Sequence, residues 1–160
     1  MASLLILGGV IPLATAIIAQ YGYGLAPCHF CLLQRYPYMA VILCGALSLL
    51  VTRGGLPWRV LVALGICGLL TTGTLGLIHT GIETHILHYT GGCVAQGPAD
   101  GSLEALRAAI ASAPLVACNA VMAQFLGLSM ATWNSLWAAG IIALIAFQYR
   151  FERRRYDERT

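Results

Sequence analysis

The stretch Trp58-Arg-Val-Leu-Val-Ala-Leu-Gly-Ile-Cys-Gly-Leu-Leu-Thr-Thr-Gly-Thr-Leu-Gly-Leu-Ile78 carries no charged side chain after Arg59. A helix needs roughly 20 mainly apolar residues to cross a hydrocarbon layer, and this stretch has that length. Three other windows read the same way: Ser3–Tyr21, Tyr36–Val51 and Trp133–Tyr149. The second is short at its apolar centre and borrows Arg35 or Thr52 as flanking residues. The fold class expected is an all-α integral membrane protein, a four-transmembrane-helix bundle forming one domain over residues 1–160.

Composition agrees with that class. Of 160 residues, 59% are hydrophobic and only 9% charged, and mean hydropathy is +0.79, against about 25% charged residues in soluble domains. The net charge of +3 comes entirely from arginine. It is concentrated at the C-terminal end, so no groove-sized basic face is available for a nucleic acid. Arginines near span ends instead report orientation, because they stay on the cytoplasmic side. Arg53 and Arg59 lie between spans two and three, and Arg150, Arg153, Arg154, Arg155 and Arg159 lie in the tail, against Arg35 and Arg107 on the opposite side. Both termini are therefore expected in the cytoplasm, and the loops 22–35 and 80–132 outside. The first span lacks a basic leader and is longer than the apolar core of a signal peptide, which argues for its retention.

In the long outer loop, Ala99–Gly101 reads as a turn. Leu103, Leu106 and Ile110 then recur at helical spacing before Pro114. This pattern predicts a short helix in the second outer loop, lying either at the membrane surface or over the top of the bundle.

Four of the six cysteines fall in the outer loops, where an oxidising compartment allows disulfides to persist. Cys28 and Cys31 form a Cys-x-x-Cys pair behind Pro27, a residue suited to opening a helix. A thiolate at a helix N-terminus meets unpaired backbone N–H groups, which lowers its pKa. Closing so small a loop removes little chain entropy, so the pair reads as a redox group rather than a staple. If the helix runs on into span two, Arg35, four residues after Cys31, lies on the same face. There it either stabilises a thiolate or an electron-rich acceptor, or simply anchors the span at headgroup level. Pro37 should kink or delay this helix.

Cys93 and Cys118 are open to two readings. A disulfide across the intervening segment would stabilise the fold by roughly 3 to 4 kcal/mol in the chain-entropy model. Alternatively the pair exchanges electrons with Cys28 and Cys31, and Gly91-Gly92 favours the accessibility that exchange requires. Cys44 and Cys67 lie inside spans and read as inert packing residues. His79 closes span three on the outer side, where an imidazole can hydrogen-bond a carbonyl or pass a proton. His85, His88 and Glu83 loosely resemble a metal site but lack a convincing further ligand, so no metal is expected. His29 either stabilises a thiolate or fills a variable position.

Pro27-Cys-His-Phe-Cys-Leu-Leu-Gln-Arg35, the later Cys93 and Cys118, and Phe125-Leu-Gly-Leu-Ser-Met-Ala-Thr-Trp-Asn134 together resemble the bacterial disulfide bond formation protein family DsbB, over nearly the whole chain. The resemblance implies a membrane thiol:quinone oxidoreductase of the bacterial inner membrane. Such an enzyme reoxidises a periplasmic DsbA-like thioredoxin-fold dithiol protein and passes the electrons to ubiquinone or menaquinone. It further implies that Cys93 receives the partner's attack with Cys118 as its bonded mate, and that Cys118 passes electrons to Cys28 and Cys31. Cys31 would sit against the quinone ring with Arg35 beside it and His79 nearby. Two other classes compete: a non-enzymatic scaffold or transporter subunit with structural disulfides, and a quinone enzyme like vitamin K epoxide reductase. The position of the Cys-x-x-Cys pair ahead of the lone cysteines favours the DsbB pattern over the latter.

Overall fold

The computed structural model describes residues 1–88, 118, 121 and 123–157, the last two of these without their side chains. Helix α1 spans Ala2–Gly22, α2 His29–Leu33, α3 Arg35–Leu50 and α4 Leu56–Glu83. A two-stranded hairpin, β1 Gln124–Phe125 and β2 Leu128–Ser129, precedes α5, Met130–Asp157. Four helical segments are long and apolar enough to cross a membrane: Ala2–Gly22, His29–Leu50, Leu56–Glu83 and Met130–Arg155. The short helix expected near 103–110 lies outside the described residues.

The second span starts at His29 and not at Tyr36, so Cys31 and Arg35 stand on helix and not in a loop. Two local features explain this. The Cys28 side chain caps α2 by accepting the Cys31 N–H at 3.2 Å, and Gln34 stays close to helical geometry at φ −67°, ψ −19°. Pro37 falls in the first turn of α3, so its disruption is confined to the junction at Gln34. Span three likewise runs past Ile78 to Glu83, taking His79 onto α4. At the other junction, Leu126 (φ 52°) and Gly127 (φ 78°) form the two-residue corner of the hairpin, which pairs Gln124 with Ser129 and Phe125 with Leu128. Positive φ at both corner residues matches the twist of a tight antiparallel hairpin. Ser129 Oγ then accepts the Thr132 N–H at 3.2 Å, capping α5.

α1 packs on α3, α3 on α4 and α4 on α5, while α1 and α5 share a smaller contact that closes the ring. Leu5, Tyr38, Val41, Val62, Leu69, Ile141 and Ile145 fill its centre. Large side chains such as Leu43, Leu50, Leu64, Leu77 and Phe147 point outward, where lipid is as apolar as they are. Because apolar burial drives little helix association in lipid, close backbone approach and interhelical hydrogen bonds must do it. A Cβ at Gly9 would stand 3.0 Å from the Tyr38 carbonyl, and one at Gly76 3.0 Å from the Ala131 carbonyl. Asn134 joins three helices: it accepts the Tyr38 hydroxyl and donates through Nδ2 to the Thr72 carbonyl at 3.1 Å. Trp137 Nε1 donates to the Gly8 carbonyl at 3.0 Å.

The helices alternate in direction. The C-termini of α1 and α4 and the N-termini of α2 and α5 therefore share one end, with Cys28 and Cys31, while Arg53, Arg59 and the α5 arginines gather at the other. Gly76→Leu should force α4 from α5 and cost roughly 1–3 kcal/mol. In detergent this would appear as a lower melting temperature by circular dichroism. Gly140→Leu, whose Cβ position is open, should stay within about 0.5 kcal/mol of the parent.

Candidate functional site

At the cysteine end, capping fixes one thiol and helical spacing places the other. The Cys28 sulfhydryl donates to Cys31 Sγ at 2.7 Å, a separation from which a disulfide forms with little backbone movement. Both are free thiols, as are Cys44 and Cys67. Cys118 is disulfide-bonded and packs with Cys28, Phe30 and Ile82 in one buried cluster, flanked by Cys31 and Leu75. The two cysteine groups thus meet at Cys28 and Cys118. Cys93 lies outside the described residues.

The thiol pair departs from expectation in one respect. Helix-terminus N–H groups should lower a thiol pKa, yet Cys28 is pushed up out of the ordinary range. Its hydrogen bond with Cys31 is the main cause, followed by burial. Cys28 is therefore the thiol that keeps its proton.

His79 Nε2 lies 3.5 Å from Cys28 Sγ and 3.7 Å from Glu83 Oε1. Its ring stacks on Phe30, with centroids 5.7 Å apart and an interplanar angle of 22°, and the Cys118 backbone approaches it. Arg35 is tied to α1: Nη1 donates to Gln20 Oε1 at 2.7 Å and Nη2 to the Ala16 carbonyl at 3.5 Å. Its buried Nε has no hydrogen-bond partner among the described residues, and the same holds for Gln34 Nε2 and Glu83 Oε2.

Cys28, Cys31, Gln34, Arg35, His79 and Glu83 border one cavity of about 340 Å³, as does Gln20. Its remaining wall is mostly apolar and includes Ala16, Ala19, Leu25, Met130 and Trp137. A mostly apolar cavity whose wall includes residues with unpaired buried polar atoms suits an apolar ligand carrying hydrogen-bonding oxygens. The donor set, with Arg35 Nε and Gln34 Nε2 unpaired and two thiols in the wall, is compatible with an acceptor that carries oxygens.

Cys28, Cys31, Arg35 and His79, singled out from sequence, are thus brought together with Cys118. Glu83 was grouped with His85 and His88 instead of with this site. The structure separates them: His85 adopts φ 58° and both histidines are exposed, whereas Glu83 faces inward. The His79–Glu83 spacing of i, i+4 becomes a signal only once α4 is known to reach Glu83. Gln20 and Gln34 carried no signal at all. Cys44 is half-buried, but Cys67 is exposed on the outer face of α4, so it is lipid-facing and not a packing residue of the bundle.

Comparison with known proteins places this geometry. Residues 1–148 match the family described as disulfide bond formation protein DsbB. The chain is 28% identical over 121 residues to disulfide bond formation protein B of Pasteurella multocida, covering 75% of this chain and 67% of that one. It is 27% identical over 129 residues to an uncharacterized protein of Rickettsia prowazekii, covering 79% and 73%. No solved structure matches.

The raised Cys28 pKa has a direct readout. With the pair reduced, alkylation of Cys28 should stay slow from about pH 7 to pH 9, because its folded pKa lies above that window. It should become fast at the upper end only after unfolding, when the ordinary thiol value of about 8.5 applies. Peptide mass spectrometry would measure both rates.

Proposed function

The chain belongs to the DsbB family of disulfide bond formation proteins, and on that premise we propose that it is a thiol:quinone oxidoreductase that reoxidises a periplasmic DsbA-like dithiol protein. It is a multi-pass membrane protein. The arginine bias supports an inner-membrane orientation with both termini in the cytoplasm and the cysteine end in the periplasm. The observation that carries the reading is that Cys31, Arg35 and His79 share one cavity wall while Cys28 packs against Cys118.

Electrons enter when a partner thiolate attacks Cys93, which breaks the Cys93–Cys118 bond, forms a mixed disulfide and frees Cys118. Cys118, already beside Cys28, then attacks Cys28 Sγ in the oxidised pair. The Cys28–Cys31 bond breaks, and Cys31 leaves as a thiolate facing the cavity. The partner's second thiol releases the oxidised partner from Cys93, and the Cys93 thiolate recovers Cys118. This displaces Cys28, which takes up a proton. Each cycle therefore moves two electrons from the partner to Cys28 and Cys31.

A bound ubiquinone or menaquinone would supply the two-electron acceptor that lets the Cys28–Cys31 bond re-form. Arg35, fixed by Gln20 and Ala16, presents Nε to the cavity and orients an acceptor oxygen. His79 Nε2, between Cys28 Sγ and Glu83 Oε1, is placed to receive the Cys28 proton as that thiol becomes a nucleophile. The apolar remainder of the wall excludes water that would compete for these protons.

Purified protein mixed with a reduced DsbA-like protein and ubiquinone or menaquinone should produce quinol, followed by absorbance. Cys31→Ser and Cys93→Ser should each abolish turnover. Full quinone reduction by the Cys93→Ser variant with the protein donor would overturn the order of transfer. Arg35→Ala should raise the apparent KM for quinone by roughly tenfold or more, the loss of one charge-assisted hydrogen bond, and leave partner binding intact. An unchanged KM would contradict its role.

A further inference from the structure

We propose that the reduced Cys28–Cys31 pair, with His79 and Glu83, forms a binding site for one divalent zinc ion. The ligand atoms of Cys28, Cys31 and His79 all lie within 4.8 Å of one another. In a tetrahedral zinc site, sulfur at about 2.3 Å and nitrogen at about 2.0 Å from the metal stand about 3.5 Å apart. The Cys28 Sγ to His79 Nε2 distance is 3.5 Å. Glu83 Oε1, 3.7 Å from the same nitrogen, is the nearby carboxylate that can turn in as a fourth ligand. Two adjustments complete the site: the sulfur pair opens from 2.7 Å to about 3.8 Å, the edge between two thiolates on one zinc, and the Glu83 carboxylate turns towards the sulfurs.

Independent features point to a cation here. The Glu83 side chain is only 7% exposed, and its Oε2 lacks a partner among the described residues. A carboxylate so placed is costly unless a positive charge meets it. The Cys31 N–H to Cys28 Sγ bond holds one donor sulfur in place.

Binding is redox-selective without being redox chemistry. Zinc replaces the two thiol protons, which go to solvent, and no electrons move. The disulfide form offers no thiolate and holds no zinc, so the ion captures the pair in the state that awaits reoxidation and blocks disulfide re-formation. The proposal rests on the placement of these four groups and is independent of the quinone reading.

The test uses the full chain in detergent, reduced with a phosphine under argon, with no quinone or partner protein present. One equivalent of cobalt(II) should give thiolate-to-metal charge-transfer absorption and the visible bands of tetrahedral cobalt, both bleached by zinc(II). With one equivalent of zinc, alkylation of Cys31 should slow on the order of tenfold or more, while Cys93 remains reactive. The oxidised chain should bind neither ion at this site. His79→Ala and Glu83→Gln should each weaken zinc binding by on the order of tenfold or more, whereas Cys67→Ser should not. Protection falling on Cys93, equal uptake by the oxidised chain, or absence of tetrahedral bands in the reduced wild-type chain would each overturn the proposal. The wild-type protection pattern decides the matter even if a variant fails to fold.

Discussion

A polar atom buried at membrane depth has no water to turn to, and the structure depends on how that constraint is met. Inside the bundle it is met by pairing: Asn134 links Tyr38 and Thr72, Ser135 Oγ donates to the Gly73 carbonyl at 3.1 Å, and Trp137 reaches Gly8. At the cysteine end it is met only in part. Gln34, Arg35 and Glu83 each bring a buried atom to the cavity and leave it unpaired. Elsewhere among the described residues of the bundle every buried side-chain nitrogen and oxygen has a partner, so the unpaired atoms are confined to this one region. Removing Asn134 would therefore disturb more than its own bonds, since Tyr38 and Gln34, joined to it directly or through Thr72, both border the cavity.

The same constraint explains why Cys28 matters twice. Its sulfur is a redox atom and also the cap that starts α2. Because a helix terminus in apolar surroundings must satisfy its first N–H groups, the cap and the chemistry cannot be separated. The side chain that lets the second span start early is the one that meets both Cys118 and His79.

Much of this was legible from residue order. Four charge-free windows announced four spans, and the Cys-x-x-Cys pair with Arg35 announced the chemistry. What stayed hidden was set by distance in space. Hydropathy falls at Tyr36 and after Ile78, so it does not show that the spans reach out to His29 and to Glu83, where capping and hydrogen bonding continue the helices. Glu83 was consequently matched with its neighbours in sequence, His85 and His88, and not with His79 one turn away. Gln20 resembles any polar residue at a span end until Arg35 from another helix reaches it at 2.7 Å. The helix-terminus argument for a low thiol pKa gave the wrong sign at Cys28 because a direct sulfur contact and burial outweigh a partial charge.

The ring of helices is not sealed evenly. α1 and α5 touch over a smaller area than the other sequential neighbours, and the cavity runs beneath that seam, between Ile11, Pro12 and Thr15 on one side and Trp133 and Trp137 on the other. Pro12 cannot donate to the Gly8 carbonyl one turn back, and Trp137 Nε1 of α5 takes that acceptor instead at 3.0 Å. The break in one helix thus becomes a fastening of the ring: an acceptor freed along α1 is taken from across the gap, and the first helix is tied to the last on the side where their contact is smallest.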